Sequence, residues 1–213
     1  PTRRSSDLLD GAAAISLAGD VAMTTTSSGG IDLGSSNATS VTDTGAFGLT
    51  LSSAGSIALD DVTLDSLAIS AGTALSLYGV VESTDGAADL DFSALPDGNT
   101  ITIAADAELL SAGEVVATAE ALNAASAGGA SLRIVSAGAT SLGAVGVATP
   151  LSAVDIDAGG ILTLAGSIFV DNGAAGSIDL SGSADVDLAG GGTIVLDTED
   201  GDDGDRSEEH TSE

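Results

Sequence analysis

The 213 residues contain no cysteine, so a disulfide framework, a thiolate nucleophile and a thiolate metal site are all excluded. Tryptophan is also absent, and one Tyr and three Phe make up the whole aromatic complement. A compact globular core normally uses bulky rings to fill its centre, whereas a narrow tube of stacked aliphatic rows has no need of them. Positive charge is nearly missing: four Lys+Arg stand against 32 Asp+Glu, for a formal net charge of -28. Phosphate recognition requires clustered Lys and Arg, so nucleic acid is a poor partner. No apolar run reaches the roughly 18 residues that span a bilayer. With 43% hydrophobic residues the chain is nevertheless too apolar to be disordered. The acidic excess reads as a solvated surface that keeps the protein soluble.

Both ends stand apart from the rest. Pro1 to Leu8, PTRRSSDL, and Arg206 to Glu213, RSEEHTSE, look like in-frame translations of two common short-read sequencing adapters. The second follows AGATCGGAAGAGCACACGTCTGAA codon by codon. Residues 1–8 and 206–213 are therefore expected not to be native, and residues 9–205 to form one segment of a longer protein. On that reading the only His, His210, and three of the four Arg, Arg3, Arg4 and Arg206, drop out, leaving Arg133 as the sole cation.

What remains is a repeated apolar-polar-apolar triplet separated by glycine. It is densest from Ile161 to Leu196, with Leu162-x-Leu164, Ile168-x-Val170, Ile178-x-Leu180, Val186-x-Leu188 and Ile194-x-Leu196. Earlier copies are Ile15-x-Leu17, Ile31-x-Leu33, Leu49-x-Leu51, Ile57-x-Leu59, Val62-x-Leu64, Leu67-x-Ile69, Leu75-x-Leu77, Leu90-x-Phe92, Ile101-x-Ile103, Leu132-x-Ile134 and Val154-x-Ile156. Each triplet places two aliphatic side chains on one face of a strand and a polar one on the other. Strands this short bury nothing alone and need copies stacked above and below. The expected fold is all-β, a parallel β-solenoid without a linker, at about 20 to 25 residues per turn and about eight to ten turns. An antiparallel sandwich is the alternative, with Asp97-Gly98 and Asn172-Gly173 as hairpin turns. Most gaps, however, are Ala-Gly, Ser-Gly or Gly-Gly, which suit corners where the chain bends without reversing.

One segment carries a different period. From Leu109 to Gly129, Ala112, Val115, Ala119 and Leu122 fall at helical intervals, and Ser111 with Glu114 has the spacing of a capping box. The pattern predicts a short helix over 112–125, ended by Gly128-Gly129.

Residues Leu142 to Ile168, LGAVGVATPLSAVDIDAGGILTLAGSI, resemble a unit of large filamentous-haemagglutinin-like adhesins of Gram-negative bacteria. The matching positions are Gly143, Val145, Gly146, Pro150, Leu151, Val154, Ile156, Ala158, Gly159, Gly160, Leu162, Leu164 and Gly166. The resemblance implies a right-handed parallel β-helix, export across both membranes, a place at the bacterial cell surface and no catalytic residue. The predicted helix and the strong acidity depart from that family's pattern.

Candidate chemistry is sparse. The run Asp197 to Asp205, DTEDGDDGD, offers carboxylates in a glycine-rich loop, the donor type hard cations favour, and it admits weak calcium binding. Its spacing fits neither the EF-hand loop nor the calcium-binding nonapeptide repeat. Asp89 with Asp91, Asp155 with Asp157, and Asp185 with Asp187 have the residue type of a glycosidase pair. Each pair flanks an aliphatic of opposite facing, so both members point to the wet side. No Ser-His-Asp set, Walker loop or dinucleotide fingerprint occurs. The chain therefore reads as a non-catalytic spacer of an exported adhesin shaft, with no cofactor and with any receptor contacted by other parts of the protein. A calcium-stabilised carbohydrate-binding or polysaccharide-processing module is the alternative.

Overall fold

A computed structural model of the chain describes residues 14–26, 28–34, 40–95, 99–118, 120–171 and 176–198. Twenty-three strands, numbered β1 to β23 in chain order, are found among them. They rotate in order through three ladders, with the single bridging residue Val145 standing on the third face between the strands Thr140–Leu142 and Ala153–Ala158.

The first face stacks β1 (Ala14–Leu17), β4 (Ser40–Asp43), β7 (Val62–Leu64), β10 (Val80–Ser83), β13 (Ala107–Ser111), β16 (Ser131–Ser136), β18 (Ala153–Ala158) and β21 (Ser177–Asp179) as one eight-stranded sheet. The second face begins with β2 (Val21–Thr25), β5 (Gly48–Ser53) and β8 (Ser66–Ala71). It continues beside β8 with β11 (Leu90–Asp91), β14 (Val115–Ala117), β17 (Thr140–Leu142), β19 (Ile161–Leu164) and β22 (Asp185–Leu188). The third face holds β3 (Ile31–Leu33), β6 (Ser56–Leu59), β9 (Ala74–Leu77), β12 (Thr100–Ile103) and β15 (Ala121–Ala124), and ends in β20 (Ile168–Phe169) and β23 (Leu196–Asp197). Single parallel bridges from Leu122 to Val145 and from Val145 to Ile168 join its two parts.

Every strand pairing is parallel. That removes the antiparallel sandwich and establishes a β-solenoid. The two hairpin signals, at 97–98 and 172–173, lie outside the described residues. The coil has about seven turns rather than eight to ten, and single turns vary from 18 residues (Ile57 to Leu75) to 28 (Val80 to Glu108). At the spacing of neighbouring strands, seven steps amount to about 34 Å along the axis.

Alternation fixes the interior. Twelve of the sixteen triplets bury both aliphatics, from Ile31 and Leu33 to Ile168 and Val170. The rows run in register from turn to turn, as in Ile31–Ile57–Leu75–Ile101–Leu122 along the third face. Polar residues enter the core at corners: Ser83, Ser111 and Ser136 form one inward column. Their hydroxyls serve the bends, Ser83 donating to the carbonyls of Asp65 and Ala88, and Ser111 Oγ accepting from the Gly113 N–H at 3.1 Å.

The helix expected over 112–125 does not form; β14 and β15 occupy that stretch. Val115, Ala117, Leu122 and Ala124 all point inward with period two. Ser111 and Glu114 belong to a corner instead of a capping box. The first turns inward to hold Gly113, and the second gives its N–H to Asp89 Oδ1 on the preceding turn at 2.8 Å. Alanine and serine serve as inward residues here, and neither looks like core when read as sequence.

Glycine is required where corners stack. Gly138 donates to the Gly113 carbonyl at 2.8 Å and Gly160 to the Gly138 carbonyl at 2.8 Å, so successive backbones touch. A Cβ on Gly138 would sit 2.9 Å from Gly113 O, and one on Gly160 would sit 3.0 Å from the Ala139 N. At Gly146 the constraint is conformational as well, since φ is 71° and a Cβ would run into the Phe169 carbonyl.

If stacked rows carry the stability, position along the coil should set the effect of a mutation. Ile101→Ala, in the middle and 0% exposed, is expected to lose about 2 to 5 kcal/mol in denaturant unfolding. Leu188→Ala, on the last turn and 51% exposed, should stay within about 0.5 kcal/mol of wild type. Equal losses at the two positions would contradict the stacking account.

Candidate functional site

The chemistry available on this molecule is carboxylate chemistry, and the strands determine where it sits. An Asp placed just before a strand lies at a corner, with its side chain along the edge of the turn. There it meets the backbone N–H of its register neighbour one turn on. Asp20 precedes β2 and accepts from Gly48 N at 2.9 Å; Asp61 precedes β7 and accepts from Val80 N at 3.1 Å. Asp89 precedes β11 and accepts from Glu114 N, while Asp106 precedes β13 and accepts from both the N–H and the hydroxyl of Ser131, each at 2.9 Å. Asp43 Oδ2 accepts from Phe47 N and Asp65 N, and buried Asn123 Oδ1 accepts from Ala148 N and Thr149 N. These aspartates therefore do structural work, satisfying corner N–H groups left over by parallel pairing. This device was not anticipated from the sequence. Its signal is an Asp directly before an apolar-x-apolar triplet, as in Asp61-Val62-x-Leu64 and Asp89-Leu90-x-Phe92.

The expected outward carboxylate pairs are all on the outside, and none forms a site. Asp89 is the corner acceptor just described, and Asp91 accepts from Ser93 N at 2.8 Å in a local turn. Asp155 pairs with Arg133 Nε at 3.2 Å. Arg133 also stands 3.9 Å from Glu108, within the outward register column Glu108–Arg133–Asp155–Asp179 on β13, β16, β18 and β21. It is the only cationic side chain among the described residues, and both of its partners are solvent-facing, so the contribution is about 0 to 1 kcal/mol. Asp185 accepts from its neighbour Val186 N, and Asp157 and Asp187 face solvent. Glu120, 2% exposed, is the only buried Asp or Glu among the described residues.

No group of three or more His, Cys, Asp or Glu among the described residues is disposed to hold a metal ion. Of the acidic loop proposed for calcium, Asp197 and Thr198 belong to β23 and its end, and residues 199–205 lie outside the described residues. No helix of the described residues is long and apolar enough to cross a membrane.

Electrostatics divides the corner acids into two kinds. The backbone and hydroxyl of Ser131 hold the Asp106 carboxyl below the ordinary value of 3.8. The hydroxyl and N–H of Ser181 do the same for Asp179. Asp65 is pushed up, first by desolvation and then by Asp85, Asp43 and Asp20, which stack near it on neighbouring turns. Asp60 is raised by burial and by adjacent Asp61.

A depressed carboxyl contributes stability that is present above its unfolded value and lost as pH falls through its folded one. Asp106→Ala should therefore lose about 1 kcal/mol at neutral pH, with the gap to wild type closing below about pH 4; Asp106→Asn, which keeps an acceptor, should lose less. For Asp65 the sign reverses. Its raised carboxyl favours the fold only when protonated, so Asp65→Asn should melt higher than wild type at pH 7, and the advantage should shrink in high salt and vanish below about pH 4. A lower melting temperature for Asp65→Asn at pH 7 would show that its charge is compensated.

No protein-family model matches this chain, and no curated protein or solved structure matches it.

Proposed function

We propose that the chain is a non-catalytic spacer of an exported, cell-surface adhesin shaft. The observation that carries this reading is the use made of each turn. Every described strand from β1 to β20 spends its inward side chains on the neighbouring turns, and the corner carboxylates spend their oxygens on turn-to-turn hydrogen bonds. In such a structure length is the property that repetition adjusts, since each turn adds about 4.8 Å and a further set of neighbour contacts. The outward surface is acidic and polar, which suits a projecting rod that must stay solvated. The adhesin assignment rests on the resemblance of residues 142–168, whose Gly143, Gly159, Gly160 and Gly166 all sit where a Cβ would collide with the preceding turn. A calcium-stabilised module gains no support from a described ligand set.

Antibody raised against the chain should label intact cells of the source organism, and brief protease treatment of those cells should remove the label. Labelling that appears only after lysis would rule the proposal out. In a parallel test, millimolar Ca2+ should raise the melting temperature no more than Mg2+ at the same concentration, both acting by screening a net charge of -28. A chelator-reversible shift of several degrees specific to Ca2+ would favour the calcium-stabilised module instead.

A further inference from the structure

One step in the middle of the coil is held more loosely than the rest. At every other step among the described residues, a turn is joined to the next on all three faces, with the Val145 bridges serving where the third face has no strand. Between the turn of β7, β8 and β9 and the turn of β10, β11 and β12, the second face has no ladder. The first and third faces are joined there by three register pairs each, Val62 to Leu64 against Val81 to Ser83 and Leu75 to Leu77 against Ile101 to Ile103. On the second face the two backbones turn away from each other. β8 pairs back to β5, whereas the N–H groups of Leu90 and Phe92 donate onward to the carbonyls of Glu114 and Val116, each at 2.9 Å. Side chains close the step on that face, Leu67 and Ile69 from β8 and Leu90 and Phe92 from the next turn, all buried. Apolar packing of this kind is non-directional and fixes no register. Two further features fall on the same step. The chain crosses it at Tyr78-Gly79, where a Cβ on Gly79 would lie 2.5 Å from Asp60 Oδ1 and 2.6 Å from Asp61 Oδ1. Like charge also straddles it, since Asp85 donates its N–H to the Asp65 carbonyl at 3.0 Å and so brings two carboxylates to one corner from opposite sides.

We propose that this step is a joint built into the coil, at which the blocks β1–β9 and β10–β23 part from each other while each stays folded. Parting them breaks two short ladders and one apolar face. Parting the turn of β13 from the turn of β16 breaks a five-pair ladder on the first face, a three-pair ladder on the second and a bridge on the third. Each block keeps at least three turns, enough for a stack to bury its own rows. The coil therefore yields at one internal place without unravelling, which is a property beyond that of a spacer of fixed form. It follows from the ladder pattern alone and is independent of the adhesin reading.

The test is native-state hydrogen exchange of the full chain. Three amides bond across the joint, Thr84 to the Leu64 carbonyl, Asp85 to that of Asp65 and Ala104 to that of Leu77. They should lose protection together, with about tenfold less of it than Ala137 and Gly138, which bond back to Ser111 and Gly113 between β13 and β16. Tyr78, bonded to Leu59 within the N-terminal block, should stay protected while the joint is open. Because the chain has no cysteine, a disulfide can clamp either step. Thr63→Cys with Glu82→Cys replaces an outward register pair across the joint, one strand spacing apart and within disulfide reach. Oxidised, this variant should bring the joint amides to the protection of Ala137 and Gly138; reduced, it should exchange like wild type. Leu110→Cys with Val135→Cys, an outward pair between β13 and β16, should leave the difference in place when oxidised. Equal protection at the two steps in wild type, protection lost progressively inward from β1, or a joint that still opens early under the Thr63→Cys with Glu82→Cys clamp would each overturn the proposal.

Discussion

Parallel strands of two to six residues cannot satisfy their own backbone, and that requirement governs everything else in this molecule. Each N–H and C=O must find its partner on the turn before or after, so turns are forced to lie one strand spacing apart and in register. Once they do, inward side chains fall into continuous rows and the dry interior follows. Stability is then a sum over neighbouring turns.

Corners are where this arrangement comes under strain, because a chain that passes through three ladders in each turn leaves N–H groups between them. Three devices deal with them. Glycines such as Gly113, Gly138 and Gly160 let backbones touch, inward serines reach the bend from the core side, and aspartates before strands reach it from the solvent side. The third device alters the meaning of the acidic composition. Asp20, Asp61, Asp89 and Asp106 are parts of the turn-to-turn hydrogen bonding, held in place by the geometry that makes them acceptors. Asp65 is pushed up first by desolvation and then by the carboxylates of Asp85, Asp43 and Asp20, while Asp106, given two donors on Ser131, is held down.

Two features of the composition set the limits of chemistry here. The single described arginine, Arg133, is committed to a column of carboxylates. The outward aspartates of a strand, such as Asp155 and Asp157 or Asp185 and Asp187, lie two residues apart on an exposed face.

How much could be read in advance depended on which side chains lined the interior. Where the inward pair was Ile, Leu or Val, as in Ile57-x-Leu59 or Val154-x-Ile156, the period of two was legible. Where it was Ala, Ser or Thr, as in Val115-x-Ala117, Leu122-x-Ala124 or Thr140-x-Leu142, it was not, and a helical spacing filled the gap at 112–125. Small inward residues carry no hydrophobic signal of their own; they count as core because the turns above and below enclose them. The sequence by itself therefore determined the strand period, the glycine corners and the absence of thiol, aromatic and cationic chemistry, since these follow from residue identity and local spacing. Only the tertiary structure decided that the strands run parallel in three ladders, how many turns fit and which aspartates become corner acceptors, because each of these depends on residues 18 to 28 positions apart being brought to one strand spacing.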